Sequence, residues 1–475
     1  MSKINIKIPN IDLSKIEKKY FLIVPLVLLL LILPMCLDRR EAAKEKESQD
    51  RPVQSEQASE VEVERVKLGD GENVVIVDHE INSPDIGSEK RKLVVALWRD
   101  EEEILYDATR DFERINQNVQ VVFKEVPFDS YMNNIKDLVD VRGDIDVFLT
   151  KNTSQYAKAV DSGIAMDVDQ DIRVGNIDMS NYGRAFEELR VGGRFFGLPY
   201  KRDIYMLFYN KDVLDMAGVN YPVDSMTWNE YRQFASVIRS RSGSHRIFGA
   251  FVDEMPQAWY LKAIQMGGSL SDQDLDRFES ALEYRRQLED DGSIRRYGLQ
   301  ERLNMHFNSE FQRGETGMHV SGSWHVNQLL ESSIEFDWGV ASAPYPQNAN
   351  PDLTIGNYSV AMVSSTAREP EIAFDYIKFL ASRDGAIKLA QNLVLPGYMD
   401  ERVVSEYVQS VPIEIEGLSS AINQDFLLEY PVFANAYRLA NEVFYEEAKA
   451  VFLGSSQIDE FSQNVMQKRS EMGGF

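Results

Sequence analysis

Cysteine is almost absent from this sequence, because Cys36 is the single cysteine among 475 residues. An intrachain disulfide, a CxxC redox pair and a multi-cysteine zinc site are therefore impossible. The sequence also lacks a GxSxG nucleophile elbow, an HExxH zinc motif and a GxxxxGK(S/T) phosphate loop. These absences favour binding over catalysis, and we expect no catalytic residues, no metal and no cofactor.

Positive charge is scarce, since 51 Lys and Arg residues face 76 Asp and Glu residues and leave a formal net charge of −25 at pH 7. Such a chain repels nucleic acid phosphates, and no basic cluster after the N-terminus offsets the repulsion. We therefore expect no nucleic acid partner. With 44% apolar residues, the chain is long enough to fill more than one core.

Charged residues are missing from residues 20–37 (YFLIVPLVLLLLILPMCL), whose length lies near the lower end of the roughly 17 to 25 residues that span a bilayer. The segment is either an uncleaved transmembrane anchor or an export signal lipidated at Cys36. We favour the anchor because Pro34 and Met35 replace the small residues that precede a lipidated cysteine. The lysines before the segment predict that residues 1–19 are cytoplasmic and that the remainder is extracytoplasmic, anchored to the cell membrane.

Residues 38–91 are predicted to form a polar linker that holds the folded part away from the membrane. Its stretch 41–60 (EAAKEKESQDRPVQSEQASE) is charged and polar with almost nothing to bury, which is typical of a disordered spacer. The sequence leaves the structure of 61–90 undecided. The folded part is expected to comprise residues 92–475.

Strands and helices alternate at the start of the folded part. The apolar run Leu93–Trp98 is typical of a strand buried on both faces. A helix capped by Asp100 is expected next. Its inner face is predicted to hold Ile104, Ala108, Phe112 and Ile115. Strands at Val119–Phe123 and Ile145–Leu149 then enclose a second helix, Asp129–Val141, and complete a parallel sheet.

Ligands of open parallel sheets bind beyond the carboxyl ends of the strands. The candidate ligand-binding residues at these ends are Trp98, Asp100, Lys151 and Asn152. Each of them has a simpler alternative role, as the helix cap for Asp100 and as loop surface for the others. A second set of alternating elements begins near Asp203, and a helical C-terminus is expected from about Ala421 to Met472.

Three segments resemble a known family in their order and spacing. They are Gly197–Leu214 (GLPYKRDIYMLFYNKDVL), Phe311–Trp324 (FQRGETGMHVSGSW) and Ile355–Ser382 (IGNYSVAMVSSTAREPEIAFDYIKFLAS). The chain is thereby similar to the family 1 extracellular solute-binding proteins of ABC importers, the group that resembles maltose-binding protein. The phenylalanine, glycine and tryptophan pattern of the second segment is fairly specific, whereas the alternation of strands and helices alone is not.

The resemblance implies an α/β, two-lobed periplasmic-binding-protein-like fold of type II, with discontinuous lobes joined by a hinge. The implied hinge crossings lie near 199–204, 341–346 and 395–397. Lobe one is expected at about 92–200 and 347–395, and lobe two at about 201–346 and 396–475. The implied function is that of a monomeric extracytoplasmic substrate-binding component, which closes on a small solute and delivers it to the permease subunits of an ABC importer.

A sugar or oligosaccharide is the expected solute. Sugar rings offer apolar faces and many hydroxyls, so a site needs flat aromatic and polar side chains. Trp324 matches the family position that often stacks on a sugar ring, and its alternative role is packing inside a lobe. Asp203 matches an acidic ligand-contacting position, and its alternative role is an ion pair with Lys201 or Arg202.

Two further ligand-binding residues are implied by the resemblance. Asn357 stands where the family frequently has a glycine turn, and it tolerates a positive φ while adding an amide that can reach the solute. Trp259 precedes Gly267 in a region where the family commonly supplies an aromatic residue to the cleft.

Other functions compete with a sugar receptor. Two carboxylates across a cleft are also typical of a glycosidase. His319 and His325, together with carboxylates, are candidate ligands of a metal receptor, although two scattered histidines are more often ordinary core or surface residues. A polyamine receptor and a receptor that docks onto a sensor kinase are the remaining alternatives.

Overall fold

The computed structural model describes residues 61–67, 73–80, 90–128, 130–175, 177–243, 247–305, 309–347, 349–350 and 353–472. The predicted anchor at 20–37, which includes Cys36, and the spacer at 41–60 lie outside these ranges. Within the described ranges, no helix is both long enough and apolar enough to cross a membrane.

The strands of the described residues join into one continuous hydrogen-bonded array. They are β1 (Val61–Lys67), β2 (Asn73–Glu80), β3 (Arg91–Leu97), β4 (Val119–Glu125), β5 (Val147–Thr150), β6 (Leu198–Asn210), β7 (Phe248–Phe251), β8 (Thr316–Gly322), β9 (Trp338–Ser342), β10 (Leu353–Val363) and β11 (Asp425–Leu428). Their order is β1-β2-β4-β3-β5-β10-β6-β8-β7, with β11 beside β10 and β9 beside β6.

Helices follow most of the strands. In the first half of the chain they are α1 (Arg99–Ile115), α2 (Tyr131–Asp137), α3 (Thr153–Asp161), α4 (Asp169–Val174), α5 (Lys211–Ala217) and α6 (Trp228–Arg241). The middle part contains α7 (Pro256–Gln265), α8 (Asp276–Asp290), α9 (Tyr297–Arg302), α10 (Ser309–Gln312) and α11 (His325–Glu331). The last part contains α12 (Pro370–Leu380), α13 (Arg383–Gln391), α14 (Glu401–Ser410), α15 (Leu418–Ala421), α16 (Ala436–Arg438), α17 (Tyr445–Phe452) and α18 (Ile458–Met472). Shorter 3-10 turns span Met179–Tyr182 and Arg184–Leu189, and π-helical turns span Leu138–Arg142 and Leu439–Phe444.

The predicted parallel sheet at the start of the folded part is confirmed. Strand β3 lies between β4 and β5 and runs parallel to both. Leu93, Val95 and Leu97 have no exposed surface, as expected for a strand that is covered on both faces. The segment that the sequence left undecided contributes β1 and β2, which pair with each other and extend this sheet antiparallel to β4.

Strand β6 belongs to two sheets. Its first half, 198–204, pairs antiparallel with β10, whereas its second half, 205–210, pairs antiparallel with β8 and β9. The chain therefore passes from one sheet to the other along one unbroken strand. The crossing expected near 199–204 coincides with the part of β6 that precedes this change of partners.

Two apolar cores accompany the two sheets. The first packs around β3, β4, β5 and β10 and includes the buried side chains from Met399 to Leu428. The second packs around α6, α7 and α8 and includes the buried side chains from Tyr430 to Val465. The lobe boundaries expected from the sequence remain predictions. Because the segment 399–428 packs in the first core, the packing favours grouping it with β3, β4, β5 and β10, and not with lobe two as expected.

Three local expectations need correction. Helix α1 begins at Arg99 with Trp98 in the N-cap position, so Asp100 lies inside the first turn and does not cap it. Ile115 is 62% exposed because it is the last residue of α1 and has left the buried face. The predicted helical C-terminus is interrupted by β11, which pairs parallel with β10 and so belongs to the sheet.

Candidate functional site

A buried carboxylate lies where α1 meets β6. Glu101 is 1% exposed and stands in the first turn of α1, where the helix dipole favours negative charge. Its Oε1 accepts a hydrogen bond from the Tyr200 hydroxyl at 2.7 Å, and the Lys201 ammonium lies 3.0 Å from both of its oxygens. Burial lowers the pKa of Lys201, but the carboxylates of Glu101 and Asp203 outweigh burial and raise it above its ordinary value.

Asp203 is partly buried two residues further along β6. Its Oδ1 accepts a hydrogen bond from the Ser323 hydroxyl at 3.1 Å. Burial raises the pKa of Asp203 above its ordinary range, although Lys201 and Ser323 partly oppose the rise. The adjacent cations are engaged elsewhere, because Lys201 pairs with Glu101 and Arg202 donates to the Ile422 carbonyl at 2.9 Å. These contacts leave the Asp203 carboxylate capacity to accept further hydrogen bonds.

Glu429 is a second acid of this centre, and the sequence analysis missed it. It is 7% exposed, and its backbone N–H donates to the Gly356 carbonyl at 2.8 Å. Burial raises the pKa of Glu429 to about 8, with the charge of Asp203 adding to the rise and the Gln257 amide partly offsetting it. Glu429 directly follows β11, so the rule that ligands bind at strand ends would have found it if β11 had been recognised as a strand.

Two buried polar atoms beside these acids have no hydrogen-bond partner among the described residues. They are the Tyr205 hydroxyl and Gln257 Oε1. Gln257 Nε2 donates to the Tyr430 hydroxyl, which orients the amide. Because buried polar groups are normally hydrogen-bonded, unpaired donors and acceptors next to two acids are typical of a site that receives a polar ligand. We call Asp203, Tyr205, Gln257 and Glu429 the acidic centre.

Trp324 lies next to the acidic centre. Its ring is partly buried and meets the Tyr205 ring edge-to-face, with 5.6 Å between the centroids. A Cβ on Gly322 would come within 2.0 Å of the indole, so this ring position requires glycine there. Trp324 therefore packs against the second core while part of its side chain stays exposed, which is compatible with the predicted stacking role.

Trp259 occupies a different environment. It is 5% exposed, and its ring packs edge-to-face against Tyr260, Phe278 and Phe461. These neighbours come from α7, α8 and α18 and enclose the indole within the second core. The structure thus favours a packing role for Trp259 in place of the expected ligand contact.

Trp98 and Lys151 lie together at the strand ends, as expected. The Lys151 ammonium lies 5.0 Å from the Trp98 ring centroid and 2.6 Å from that of Phe128, and it donates to the Phe128 carbonyl at 3.1 Å. Trp98 is 6% exposed and also packs edge-to-face on Tyr131. Lys151 and the aromatic neighbours therefore cover most of Trp98. Asp100, in contrast, is exposed on the first turn of α1.

Asn357 and Asn152 hold the loop that follows β5. Asn357 Oδ1 accepts a hydrogen bond from the Thr153 N–H at 3.2 Å, and Asn152 Oδ1 caps α3 by accepting from the Gln155 N–H at 2.9 Å. Asn357 lies within β10 and has a negative φ, so the expected turn with positive φ is not present at this position. Both amides therefore position the loop, and Asn357 is only 9% exposed.

A cavity of about 620 Å³ opens beside this loop. Its lining comes from the loop between β4 and α2, the start of α2, the loop after β5, one face of α3 and the segment 434–438. Tyr437 in its wall meets Tyr430 with 5.7 Å between ring centroids, and Tyr430 contacts Gln257 of the acidic centre. The cavity and the acidic centre are thus linked through the Tyr430 ring.

The two histidines of the metal alternative lie in the protein interior. Both are fully buried, with His319 Nε2 3.4 Å from Asp253 Oδ2 and 5.4 Å between the two imidazole centroids. Burial lowers the pKa of His325 to about 3, and the neighbouring His319 adds to this effect. Across the described residues, no group of three His, Cys, Asp or Glu side chains is arranged to hold a metal ion. The pair is therefore best explained as part of the core.

Comparison with known proteins relates this geometry to other binding proteins. A sugar transporter from Rhizobium etli, crystallised in an open conformation, is 25% identical and superimposes with a TM-score of 0.75 over 79% of this chain and 98% of its own. The sugar-binding protein MalE from Xanthomonas citri is 19% identical, with a TM-score of 0.68 over 79% and 96% of the two chains. A protein of Brucella abortus (strain 2308), provisionally named a binding protein, is 23% identical over 65% of this chain and 75% of its own length.

These superpositions confirm the α/β fold of two-lobed substrate-binding proteins that the sequence predicted. The neighbours are sugar-binding proteins of the maltose-binding-protein type, as the resemblance of the three segments indicated. Residues 98–387, more than half of the chain, match the family described as bacterial extracellular solute-binding protein. The chain belongs to the family of bacterial extracellular solute-binding proteins.

Proposed function

We propose that this protein is the membrane-tethered receptor of an ABC importer and that it binds a carbohydrate between its two lobes without altering it. The observation that carries the proposal is the acidic centre with Trp324 beside it. A partly buried and a buried acid, with an unpaired hydroxyl and amide oxygen beside them, match a ligand rich in hydroxyl groups.

A sugar satisfies each part of this arrangement. Its hydroxyls donate hydrogen bonds to the Asp203 carboxylate, pair with the Tyr205 hydroxyl, and exchange hydrogen bonds with the Glu429 carboxyl, whose pKa of about 8 keeps it protonated at neutral pH. Its apolar ring face stacks on the face of the partly exposed Trp324 indole, because aromatic rings supply large contact area at low conformational cost. A purely apolar ligand would leave these polar groups unpaired, which is unfavourable for binding.

Closure of the lobes is the proposed mechanism of capture. Strand β6 runs from one sheet into the other, so a small change in its twist reorients the two sheets. Asp203 lies in the half of β6 that pairs with β10, whereas Trp324 follows β8, which pairs with the other half of β6. The ligand would complete the contact between the lobes and stabilise the closed form.

The similar proteins support the carbohydrate assignment. Besides the sugar transporter and MalE, an ABC substrate-binding protein of Listeria monocytogenes was solved in complex with cycloalternan and has a TM-score of 0.67 at 19% identity, covering 81% of this chain and all of its own. The tether at 20–37 and the permease subunits are part of the proposal, because a receptor held at the membrane delivers its ligand directly to the transporter.

Calorimetric titration tests the proposal. Mono- and oligosaccharides are titrated into the purified full-length chain in detergent, and each mixture is then separated by chromatography. We expect affinity near micromolar, about −8 kcal/mol, with the saccharide recovered intact. Shorter products would instead identify a glycosidase, and the absence of binding to every saccharide would overturn the proposal.

A further inference from the structure

The 620 Å³ cavity has a charge opposite to that of the protein as a whole. The chain has a net charge of −25, yet the described residues that line this cavity include Lys151, Lys158 and Arg438 and no carboxylate. The concentration of three cations in one concave wall is therefore unexpected for a site that serves only neutral ligands.

Hydrogen bonds hold these cations at the cavity wall. Lys151 is fixed over the Phe128 ring, as described above, and the Lys158 ammonium donates to Asn133 Oδ1 at 3.1 Å. Arg438 Nε donates to Glu442 at 2.7 Å, an exposed pair that offsets part of its charge. A guanidinium has five N–H donors and an ammonium has three, so Arg438 and Lys158 retain donor capacity after these bonds.

The rest of the wall fits a sugar ring. Tyr437 is 50% exposed and offers a flat apolar face, and Phe128 is 57% exposed although Lys151 covers one face of its ring. Asn152, Gln155 and Asn435 add amide groups for hydroxyls. A site for a neutral sugar needs only these aromatic and amide groups, whereas the three cations add attraction for a negative charge.

We infer that the carbohydrate bound by this protein carries an anionic group, a carboxylate or a sulfate ester, which Lys158 and Arg438 bind in the cavity. This inference rests on the proposed function. The acidic centre, which is linked to the cavity through the Tyr430 and Tyr437 rings, binds neutral hydroxyls and offers no cation to an anionic group. The cations of the cavity and the hydroxyl-binding groups of the acidic centre together fix the direction in which the saccharide lies.

Matched saccharides test the inference on the full-length chain in detergent. Trigalacturonate is compared with its neutral methyl ester, a sulfated trisaccharide with the same trisaccharide without sulfate, and both pairs with inorganic sulfate alone. We expect one of the two anionic saccharides to bind about tenfold more tightly than the neutral ones, and to weaken as NaCl rises from about 50 to 500 mM because salt screens the attraction. Which of them binds identifies the group as carboxylate or sulfate.

Variants then locate the anionic group. Lys158→Gln and Arg438→Gln should each weaken the preferred anionic saccharide by about fivefold, as expected for partly exposed ion pairs, and leave the methyl ester unaffected. Lys136→Gln is the matched control, because Lys136 is an exposed lysine of α2 that pairs with Asp140 and does not line the cavity.

The outcomes separate this inference from the proposed function. Equal or tighter binding of neutral saccharides, or full retention of anionic binding in both cavity variants, would overturn the inference and leave a neutral sugar receptor. Binding of inorganic sulfate with no saccharide binding at all would overturn the proposed function and the inference together.

Discussion

The Glu101 carboxylate in α1 binds the Lys201 ammonium of β6, a residue 100 positions later, at 3.0 Å from both oxygens. This ion pair joins the first helix of the fold to the strand that crosses between the two sheets. It also places a positive charge between Glu101 and Asp203, which lets two acids lie close together at the site.

Removing the carboxylate of Glu101 should destabilise the fold. Glu101→Gln leaves the Lys201 ammonium, whose side chain is 16% exposed, without its counter-charge, and we expect a loss of about 3 kcal/mol in the free energy of unfolding. Urea denaturation measures this loss. Glu103→Gln on the exposed face of α1 is the control and should change stability by less than about 0.5 kcal/mol.

Stability should fall as pH rises toward 8. The pKa of Glu429 is about 8 in the folded protein, against an ordinary value of 4.5, so the folded chain keeps a proton that the unfolded chain releases between these pH values. The unfolded state then binds fewer protons, and the free energy of unfolding decreases through this window. Asp203, whose pKa is also raised, contributes in the same direction at the acidic end.

Glu429→Gln should remove most of this pH dependence, because the amide never ionises. Thermal unfolding at pH 5, 6.5 and 8 compares the variant with the wild type and with Glu446→Gln, an exposed acid of α17. An undiminished slope in Glu429→Gln would show that other groups are responsible.

Trp259 should matter for stability and not for affinity. Trp259→Ala removes an indole enclosed by Tyr260, Phe278 and Phe461, and a cavity of this size typically costs about 3 to 5 kcal/mol. Denaturation measures the loss, and titration at low temperature should find the saccharide affinity close to that of the wild type. A weaker affinity with full stability would return Trp259 to the site.

Trp324 should behave in the reverse way. If it is a platform for the sugar ring, Trp324→Ala reduces affinity by roughly 2 kcal/mol or more, as desolvated aromatic anchors do, with little change in unfolding. Calorimetric titration and thermal unfolding of the same preparation give both quantities. A collapse in melting temperature with unchanged affinity would identify Trp324 as a core residue.

The parts of the fold that the sequence predicted are those with local signals. Strand β3 is an apolar run that remains buried whatever surrounds it, and the Gly322 to Trp324 segment has a steric requirement within a few residues. Trp259 had no such signal, since its enclosure depends on α18, which comes late in the chain.

The acids of the site were also predicted only where the surrounding sequence carries a recognisable pattern. Asp203 was found because its surrounding segment resembles a known family, whereas Glu101 and Glu429 were missed among 76 acidic residues. Glu101 acquires its role through Lys201, and Glu429 acquires its role when β11 joins β10. Contacts between distant segments determine both, and no local pattern in either segment reveals them.

The central claim is tested most directly by titrating the saccharide that binds the wild-type protein most tightly, whether neutral or anionic, into Asp203→Asn. The substitution keeps the shape of the side chain but removes a charged acceptor, and the control Asp212→Asn alters an exposed acid at the start of α5. We expect affinity for the best saccharide to fall by about tenfold or more in Asp203→Asn, since hydrogen bonds to charged groups contribute about 1.5 to 3 kcal/mol, with Asp212→Asn unchanged. Wild-type affinity in a folded Asp203→Asn protein would contradict the assignment of the acidic centre as the carbohydrate site.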